Sequence, residues 1–181
     1  MSFIELAKKR QSERNFMNFP VEKEKIERCL DAARIAPSAS NSQPWTFVVI
    51  NEPELREKVA RETYSSLMAF NKFVHQAGAI IVIVMEKPSL ITQIGGKIKN
   101  KEFSLIDIGI AAEHFCLQAT EEGLGTCMLG WFNEEPIKSV LKIPRRKTIG
   151  LLIALGYSAN QKLKEKKRKD MDEFRKYNTY K

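Results

Sequence analysis

The sequence predicts a layered fold of the α/β or α+β class. Short apolar segments alternate along the chain with longer segments in which apolar residues recur every three or four positions. The chain has 181 residues, of which 43% are hydrophobic and 29% are charged. That length and composition suit a globular protein with one sizeable core. We therefore expect a single domain over residues 1–181, with strands packed against helices.

In the first half of the chain, the best-marked element is an amphipathic helix over residues 21–35. Ile26, Cys29 and Ala33 are spaced to form one buried face, and Pro37 ends the helix. The other elements expected here are a short helix over 4–10, a strand over 46–50, a helix over 53–61 and a further helix over 65–76.

In the second half, the run of Ile and Val over residues 79–85 predicts a strand that is buried on both faces. A long helix over 105–122 is closed by Gly123. Between these two elements, residues 88–101 are expected to be the least regular part of the chain. The remaining predicted elements are strands over 126–129 and 148–157, with a short helix over 134–141 between them.

Charge and cysteine content limit the kind of protein. The net charge is +8, which can indicate nucleic-acid binding or phosphorylated, anionic ligands. The sequence has no recognition-helix or zinc-finger pattern and no apolar run of membrane-spanning length, so we predict neither a nucleic-acid nor a membrane partner. The three cysteines match neither a disulfide framework nor a metal site, and we expect free thiols in a cytoplasmic protein.

Two polar segments carry the chemistry. Residues 36–45 read Ala-Pro-Ser-Ala-Ser-Asn-Ser-Gln-Pro-Trp, and this turn exposes hydroxyls, amides and backbone N–H groups of the kind that a planar, heteroatom-rich ligand needs. Upstream, Arg10, Ser12 and Arg14 form an Arg-x-Ser-x-Arg motif over residues 10–14 (the arginine motif), which suits a phosphate monoester. Two like charges at this spacing repel each other, so a shared anion explains them better than a bare surface pair.

These two motifs together resemble the nitroreductase family of FMN-dependent oxidoreductases. The resemblance continues in order along the chain through residues 107–112, 123–130, 154–157 and 166–169. It implies a central mixed sheet flanked by helices, and an intertwined homodimer with two FMN sites at the interface. The polar and basic residues 158–181 (the C-terminal arm) are then expected to contact the partner subunit.

The resemblance implies a cradle for the FMN phosphate. Arg10, Ser12 and Arg14 would form it, together with Arg168 and Lys166 from the C-terminal arm. For the last two residues, a solvated basic tail is the alternative.

The resemblance further implies that a turn binds the flavin ring. Pro37, Ser38, Ala39 and Asn41 would supply hydrogen bonds, in many family members from the partner subunit. The alternative is a helix end at which Ser38 and Asn41 satisfy their own backbone, and both interpretations can hold together.

A third part of the implied site lies at the end of the strand over 126–129. The backbone of Met128, Leu129 and Gly130 would lie along the flavin and donate a hydrogen bond to N5 or O4. The alternative is an ordinary glycine turn after a strand.

The resemblance also implies that Asn71 would lie near the pyrimidine ring of the flavin. However, Val74 stands where some family members have a lysine.

Two side chains, Lys72 and His75, could replace the lysine that the family pattern has at position 74. Otherwise we expect His75 and His114 to be structural or surface residues, because neither has metal-ligand or triad spacing.

The activity that the resemblance implies is reduction of a small molecule by FMN. NADH or NADPH would reduce the flavin by hydride transfer. A nitroaromatic, quinone or similar flat electron-poor acceptor would then bind over the same face in a ping-pong cycle. No side chain is assigned as catalytic, and residues 89–101 would form a lid or leave the site open. A non-enzymatic flavin-binding or redox-sensing protein of the same fold is the alternative.

Overall fold

The computed structural model describes residues 1–65, 69–99, 101–160 and 163–180. The strands are β1 (Trp45–Ile50), β2 (Ala79–Met85), β3 (Gly125–Leu129) and β4 (Thr148–Gly156). They form one sheet in the order β1-β2-β4-β3, and each neighbouring pair is antiparallel. Among the described residues, the one parallel pairing is an isolated bridge between Ser12 and Thr126. The four strands are therefore antiparallel throughout, and the parallel pairing expected of a mixed sheet is limited, in the described part of the chain, to this bridge.

The helices are α1 (Phe3–Lys9), α2 (Lys23–Arg34), α3 (Pro53–Arg61), α4 (Leu90–Lys99), α5 (Phe103–Glu121), α6 (Glu134–Leu141) and α7 (Met171–Phe174). Short 3-10 turns cover Ala39–Asn41 and Lys72–Gln76. Ser2 and Glu5 form a capping box that starts α1. The Glu52 carboxylate accepts two backbone N–H groups at the start of α3, and Gly123, with a φ of 78°, ends α5.

The core lies on both faces of the sheet, because successive side chains of a strand point to opposite sides. Ile80 and Val82 of β2 belong to a buried cluster with side chains of α3 and α6. Ile81 and Ile83 belong to a second cluster with side chains of α2 and α5. The sheet is thus covered by helices on each face, and the prediction that β2 is buried on both sides is confirmed.

Most predicted elements are confirmed to within two residues at either end. The expectation that residues 88–101 are irregular is wrong over Leu90–Lys99, which form α4. The Gly95–Gly96 pair suggested a break, but a Cβ on Gly96 would lie 2.8 Å from the carbonyl oxygen of Lys101. The second glycine therefore permits a close backbone approach within a continuing helix. Asn100 lies outside the described residues.

The predicted helix over 65–76 is also wrong where it is described, because only the 3-10 turn Lys72–Gln76 forms there. Asn71 Nδ2 donates to the carbonyls of Thr63 (3.0 Å) and Trp131 (3.3 Å). These tertiary bonds hold the chain in a shape that local helix propensity does not predict. Residues 66–68 lie outside the described residues.

Candidate functional site

The arginine motif lies along the outer edge of β3. Ser12 pairs with Thr126 in the parallel bridge, and the N–H of Glu13 donates to the Thr126 carbonyl at 2.8 Å. Ser12 is half-buried, whereas Arg14 is exposed. The motif therefore presents its side chains beside a sheet edge, on a backbone that is fixed by strand-like pairing.

The residue between Ser12 and Arg14 anchors the motif. Glu13 is only 1% exposed. Its carboxylate accepts hydrogen bonds from the backbone N–H groups of Arg14 and Asn15, and from the side chains of Ser158 and Asn160. Burial opposes the charge, but these bonds together outweigh it and hold the pKa of Glu13 below its ordinary value. The start of the C-terminal arm is thereby tied to the motif.

The C-terminal arm runs back along the end of α1. The Lys164 N–H donates to Gln11 Oε1 at 3.0 Å. Lys166 Nζ donates to the carbonyls of Ala7 (2.8 Å) and Arg10 (2.5 Å). These carbonyls lie at the C-terminal end of α1, where a cation is favourable. The arm therefore brings its basic side chains to the arginine motif of the same chain. Lys162 lies outside the described residues.

Positive charge accumulates at this junction. Burial lowers the pKa of Lys166, and the neighbouring charges of Arg10 and Arg168 lower it further. The carboxylate of Glu113 opposes this effect, and Glu113 Oε1 lies 3.3 Å from Arg10 Nε. Three cations near a single carboxylate leave a local excess of positive charge, which suits an anionic ligand.

The turn over residues 38–41 (the 38–41 turn) lies before β1, at the opposite edge of the sheet. Ser38 Oγ accepts from the N–H of Gln43 at 2.9 Å. Gln43 Nε2 donates to the carbonyl oxygen and Oδ1 of Asn41 at 3.3 and 3.2 Å. Ser38 and Asn41 therefore bond within their own turn, which is part of what the alternative to a flavin-binding role predicted. Pro37 and Asn41 are exposed, so the turn also has an open side.

Two buried side chains from other elements hold the 38–41 turn. The N–H of Ala39 donates to both oxygens of Asp107 in α5, at 3.1 and 3.2 Å. The Ala39 carbonyl accepts from Thr92 Oγ1 in α4 at 3.1 Å. Asp107 and Thr92 are 3% and 5% exposed, so the side-chain partners of these bonds are shielded from water.

The end of β3 leaves an open backbone surface. Met128 and Gly130 are exposed, while Leu129 is buried in the core. A Cβ on Gly130 would meet no described atom within 4 Å, so space exists beside this backbone. Buried Cys127 precedes the segment. Burial raises the pKa of its thiol, and the positive charge of Arg14 acts against that shift.

The remaining predicted site residues are in structural contacts. Asn71 is 5% exposed and uses its Nδ2 hydrogens on the Thr63 and Trp131 carbonyls. His75 lies between Glu57 Oε2 (2.6 Å) and the Tyr64 hydroxyl (2.9 Å).

Lys72 and His114 also contact groups of the same chain. Lys72 Nζ lies 5.9 Å from the centre of the Tyr64 ring, and His114 Nδ1 contacts the Ile110 carbonyl within α5. Within the described ranges, no group of three or more His, Cys, Asp or Glu side chains is placed to hold a metal ion.

The two ends of the candidate site are separated by the width of the sheet. The 38–41 turn leads into the edge strand β1, and the arginine motif pairs with the other edge strand, β3. Three inter-strand spacings separate these two strands by about 14 Å. Both motifs also contact α5, the turn at Asp107 and Arg10 at Glu113. The structure therefore brings Arg10, Lys166 and Arg168 together, and it places the 38–41 turn beside a different edge strand and a different part of α5.

Sequence reasoning missed Glu13, Thr92 and Asp107 as the residues that hold these motifs. Two of them left a signal, because Glu13 lies inside the arginine motif and Asp107 opens a segment that matches the family pattern. Thr92 left none, because it stands in the segment that was expected to be irregular.

Comparison with known proteins shows the family to which this chain is similar. The family model described as Nitroreductase family matches residues 7–157. A nitroreductase family protein of Clostridium novyi is 34% identical, with a TM-score of 0.77, and the match covers 96% of this chain and 92% of that one.

Two further relatives carry more specific names. An FMN-dependent nitroreductase of Clostridium difficile is 27% identical, with a TM-score of 0.77, over 98% of this chain and 100% of that one. An oxygen-insensitive NADPH nitroreductase of Helicobacter pylori is 25% identical over 208 aligned residues, which cover 92% of this chain and 97% of that protein. The family model matches most of the chain, and the similar structures span nearly all of it. The chain therefore belongs to the nitroreductase family.

Proposed function

We propose that this protein is an FMN-dependent oxidoreductase that takes hydride from NADH or NADPH and reduces flat, electron-poor acceptors such as nitroaromatics and quinones. The observation that carries the proposal is the contact of the C-terminal arm with the arginine motif, in which Nζ of Lys166, two residues before Arg168, donates to the Arg10 carbonyl. Relatives described as an FMN-dependent nitroreductase and as an NADPH nitroreductase support the cofactor and the reductant.

The residues present fit the phosphate of FMN. Burial lowers the pKa of Lys166, and repulsion by Arg10 and Arg168 adds to the shift; a dianion would neutralise that repulsion, and guanidinium groups bind phosphate oxygens in pairs. Ser12 adds a hydroxyl donor, and Arg14 is exposed beside it. Lys166 has a second role in this proposal, because its bonds to α1 carbonyls hold the arm in place.

The flavin ring would be held by backbone and by small polar side chains. Pro37, Ser38, Ala39 and Asn41 would contact it from one side. The backbone of Met128, Leu129 and Gly130 would contact it from another, where the missing Cβ of Gly130 leaves room. In this proposal Asn71 helps to hold the nearby loop, because its Nδ2 donates to the Trp131 carbonyl. It would contact the ring with its other polar atom, Oδ1.

FMN, when bound, supplies the reversible hydride chemistry, and the chain supplies binding, orientation and hydrogen-bond donors. No side chain of this protein is proposed as a general acid, a general base or a nucleophile. Backbone N–H groups near residues 128–130 would stabilise the charge that develops on a reduced ring, because fixed donors need no reorganisation.

The proposal includes a homodimer and a cytoplasmic location. The 38–41 turn and the arginine motif lie at opposite sheet edges, which supports a site completed by two subunits. Phe3 of α1 and Ile106 of α5 are exposed apolar side chains that line one open cavity, and such a patch marks an interaction surface. The C-terminal arm would extend this interface.

The free, buried cysteines suit a reducing compartment. Within the described ranges, every helix lacks the length or the apolarity that a bilayer crossing needs.

An anaerobic absorbance scan before and after addition of NADH or NADPH tests the proposal. The expected result is a flavin spectrum that bleaches with the reductant and recovers with a quinone or nitroaromatic acceptor. A flavin spectrum that persists with both nucleotides would instead favour a redox-sensing protein of this fold. Protein that contains no flavin and binds no added FMN would contradict the proposal altogether.

A further inference from the structure

The 38–41 turn and the residues after it adopt a strained backbone. Ser40, Asn41 and Gln43 have φ angles of 51°, 50° and 43°, in the left-handed region that residues with a Cβ adopt only at an energetic cost. Such backbone persists where the surrounding structure fixes it, and it is concentrated at functional sites. The contacts that fix this turn therefore bear on its function.

Ala39 is held through both of its backbone polar groups. Its N–H donates to the carboxylate of Asp107, and its carbonyl accepts from the hydroxyl of Thr92. Both partners are buried, so a rotation of either adjoining peptide would leave a polar group without its bond and away from water. The two bonds act on opposite sides of one residue, and together they form a clamp.

The Thr92 half of the clamp also fixes α4. Thr92 is the one buried residue among the α4 side chains that the structure describes, whereas Ile91, Ile94 and Ile98 are exposed. The Ser89 hydroxyl contacts Thr92 Oγ1 at 2.9 Å and orients it. The position of α4 and the shape of the turn therefore depend on the same hydroxyl group.

We propose that Thr92 and Asp107 are positioning residues that hold the 38–41 turn in the shape in which it contacts the flavin. This inference rests on the proposed function, because it requires a flavin for the turn to contact. Ser38 and Asn41 are already oriented by Gln43 within the turn, so their direction follows the main chain that the clamp fixes. Loss of the clamp should change the environment of the flavin while the core remains folded.

The test compares three full-length variants with the unmodified protein. Thr92→Val removes the hydroxyl with little change of shape, and Thr92→Ser restores it. Thr120→Val is the matched control, because Thr120 Oγ1 is a buried hydroxyl that donates to the Cys116 carbonyl within α5, thirteen residues, or about 20 Å of helix, from Asp107. FMN affinity is measured by quenching of flavin fluorescence, and the visible spectrum and midpoint potential of the bound flavin are recorded.

We expect Thr92→Val to raise the Kd for FMN by about fivefold, the effect of losing one hydrogen bond, and to shift the flavin spectrum and potential. Thr92→Ser and Thr120→Val should match the unmodified protein in all three measurements. If Thr92→Val does not fold, Asp107→Asn carries the same test, because it weakens the other bond to Ala39.

A variant that loses thermal stability but keeps the Kd, spectrum and potential would overturn the clamp and leave the proposed function intact. If the unmodified protein binds no FMN, the proposed function fails and the clamp fails with it.

Discussion

The two halves of the candidate site each depend on a buried carboxylate, but the carboxylates are used differently. Glu13 accepts hydrogen bonds from two backbone N–H groups and from the side chains of Ser158 and Asn160. Asp107 accepts the single N–H of Ala39 with both of its oxygens. The arginine motif with the C-terminal arm (the arginine half) is therefore bonded to residues 158–160 near the end of the chain. The 38–41 turn (the turn half) is instead held by a few contacts from α4 and α5.

This difference indicates how each half should respond to change. Because Glu13 joins residues near both ends of the chain, changes around it should cost stability as well as ligand affinity. The turn half holds a strained backbone with few bonds, so changes there should alter the ligand environment more than the stability. Cofactor affinity and the free energy of unfolding can therefore be separated by experiment.

Removal of residues 162–181 should have the largest effect. The truncation deletes Lys166 and Arg168, and the loss of two charged phosphate contacts should raise the Kd for FMN by about 100-fold. It should also weaken the dimer. Flavin fluorescence titration and size-exclusion chromatography measure the two effects. A full-length double variant, Lys166→Met with Arg168→Met, separates the charges from the arm itself.

The same truncation tests the independence of the turn half. FMN bound to the fraction of truncated protein that stays dimeric at high protein concentration should keep the visible spectrum of the intact protein, because Thr92 and Asp107 are unchanged. A truncated protein that is dimeric and fully loaded with FMN would show that the arm is incidental.

Glu13→Gln should have the next largest effect, on stability. The amide presents a donor where the carboxylate accepts several buried hydrogen bonds, and the free energy of unfolding should fall by about 2–3 kcal/mol. Asp107→Asn should cost about 1 kcal/mol or less, since it weakens one bonded group. Urea unfolding of both variants measures the difference. Equal losses would contradict the contrast between the two carboxylates.

The pH dependence of stability gives Glu13 an independent signature. Its folded pKa lies below the ordinary value of 4.5, so its contribution is present above that pH and is lost as the pH falls towards the folded value. Unmodified protein should therefore lose more stability than Glu13→Gln between about pH 5.5 and 3.5. Glu27→Gln, at an exposed position in α2, is the control and should follow the unmodified curve. Parallel curves for all three proteins would contradict the assignment.

The sequence predicted the fold well because its strongest signals are local. The amphipathic spacing of α2, the Ile and Val run of β2 and the Gly123 end of α5 are each set by neighbours in the chain. It failed over residues 65–76, where Asn71 bonds to Thr63 and Trp131. A contact made across the fold overrides local propensity there.

For the candidate site, the sequence indicated the motifs but not what holds them. Ser12 and Asn41 stand in recognisable patterns, but the links from Glu13 to residues 158–160 and from Ala39 to Asp107 join distant parts of the chain. No spacing rule encodes such pairs. The arrangement of the two motifs at opposite sheet edges likewise follows from the strand order, which composition and periodicity do not determine.

The sharpest test of the arginine motif should come from Arg14→Ala. Arg14 is exposed, so its loss should cost little stability, while the Kd for FMN should rise by about tenfold through loss of one charged contact. Lys58→Ala removes the same charge from an exposed position in α3 and should change the Kd by less than about twofold, because salt screens surface charges outside the site. Fluorescence titration at physiological salt compares the two variants. Equal effects would mean that FMN responds only to net charge, and an unchanged Kd for Arg14→Ala would remove that residue from the cradle. A larger rise in Kd for Arg14→Ala than for the control would show that the arginine half binds FMN through side chains in fixed positions. The turn half is proposed to bind it through a main chain in a fixed position.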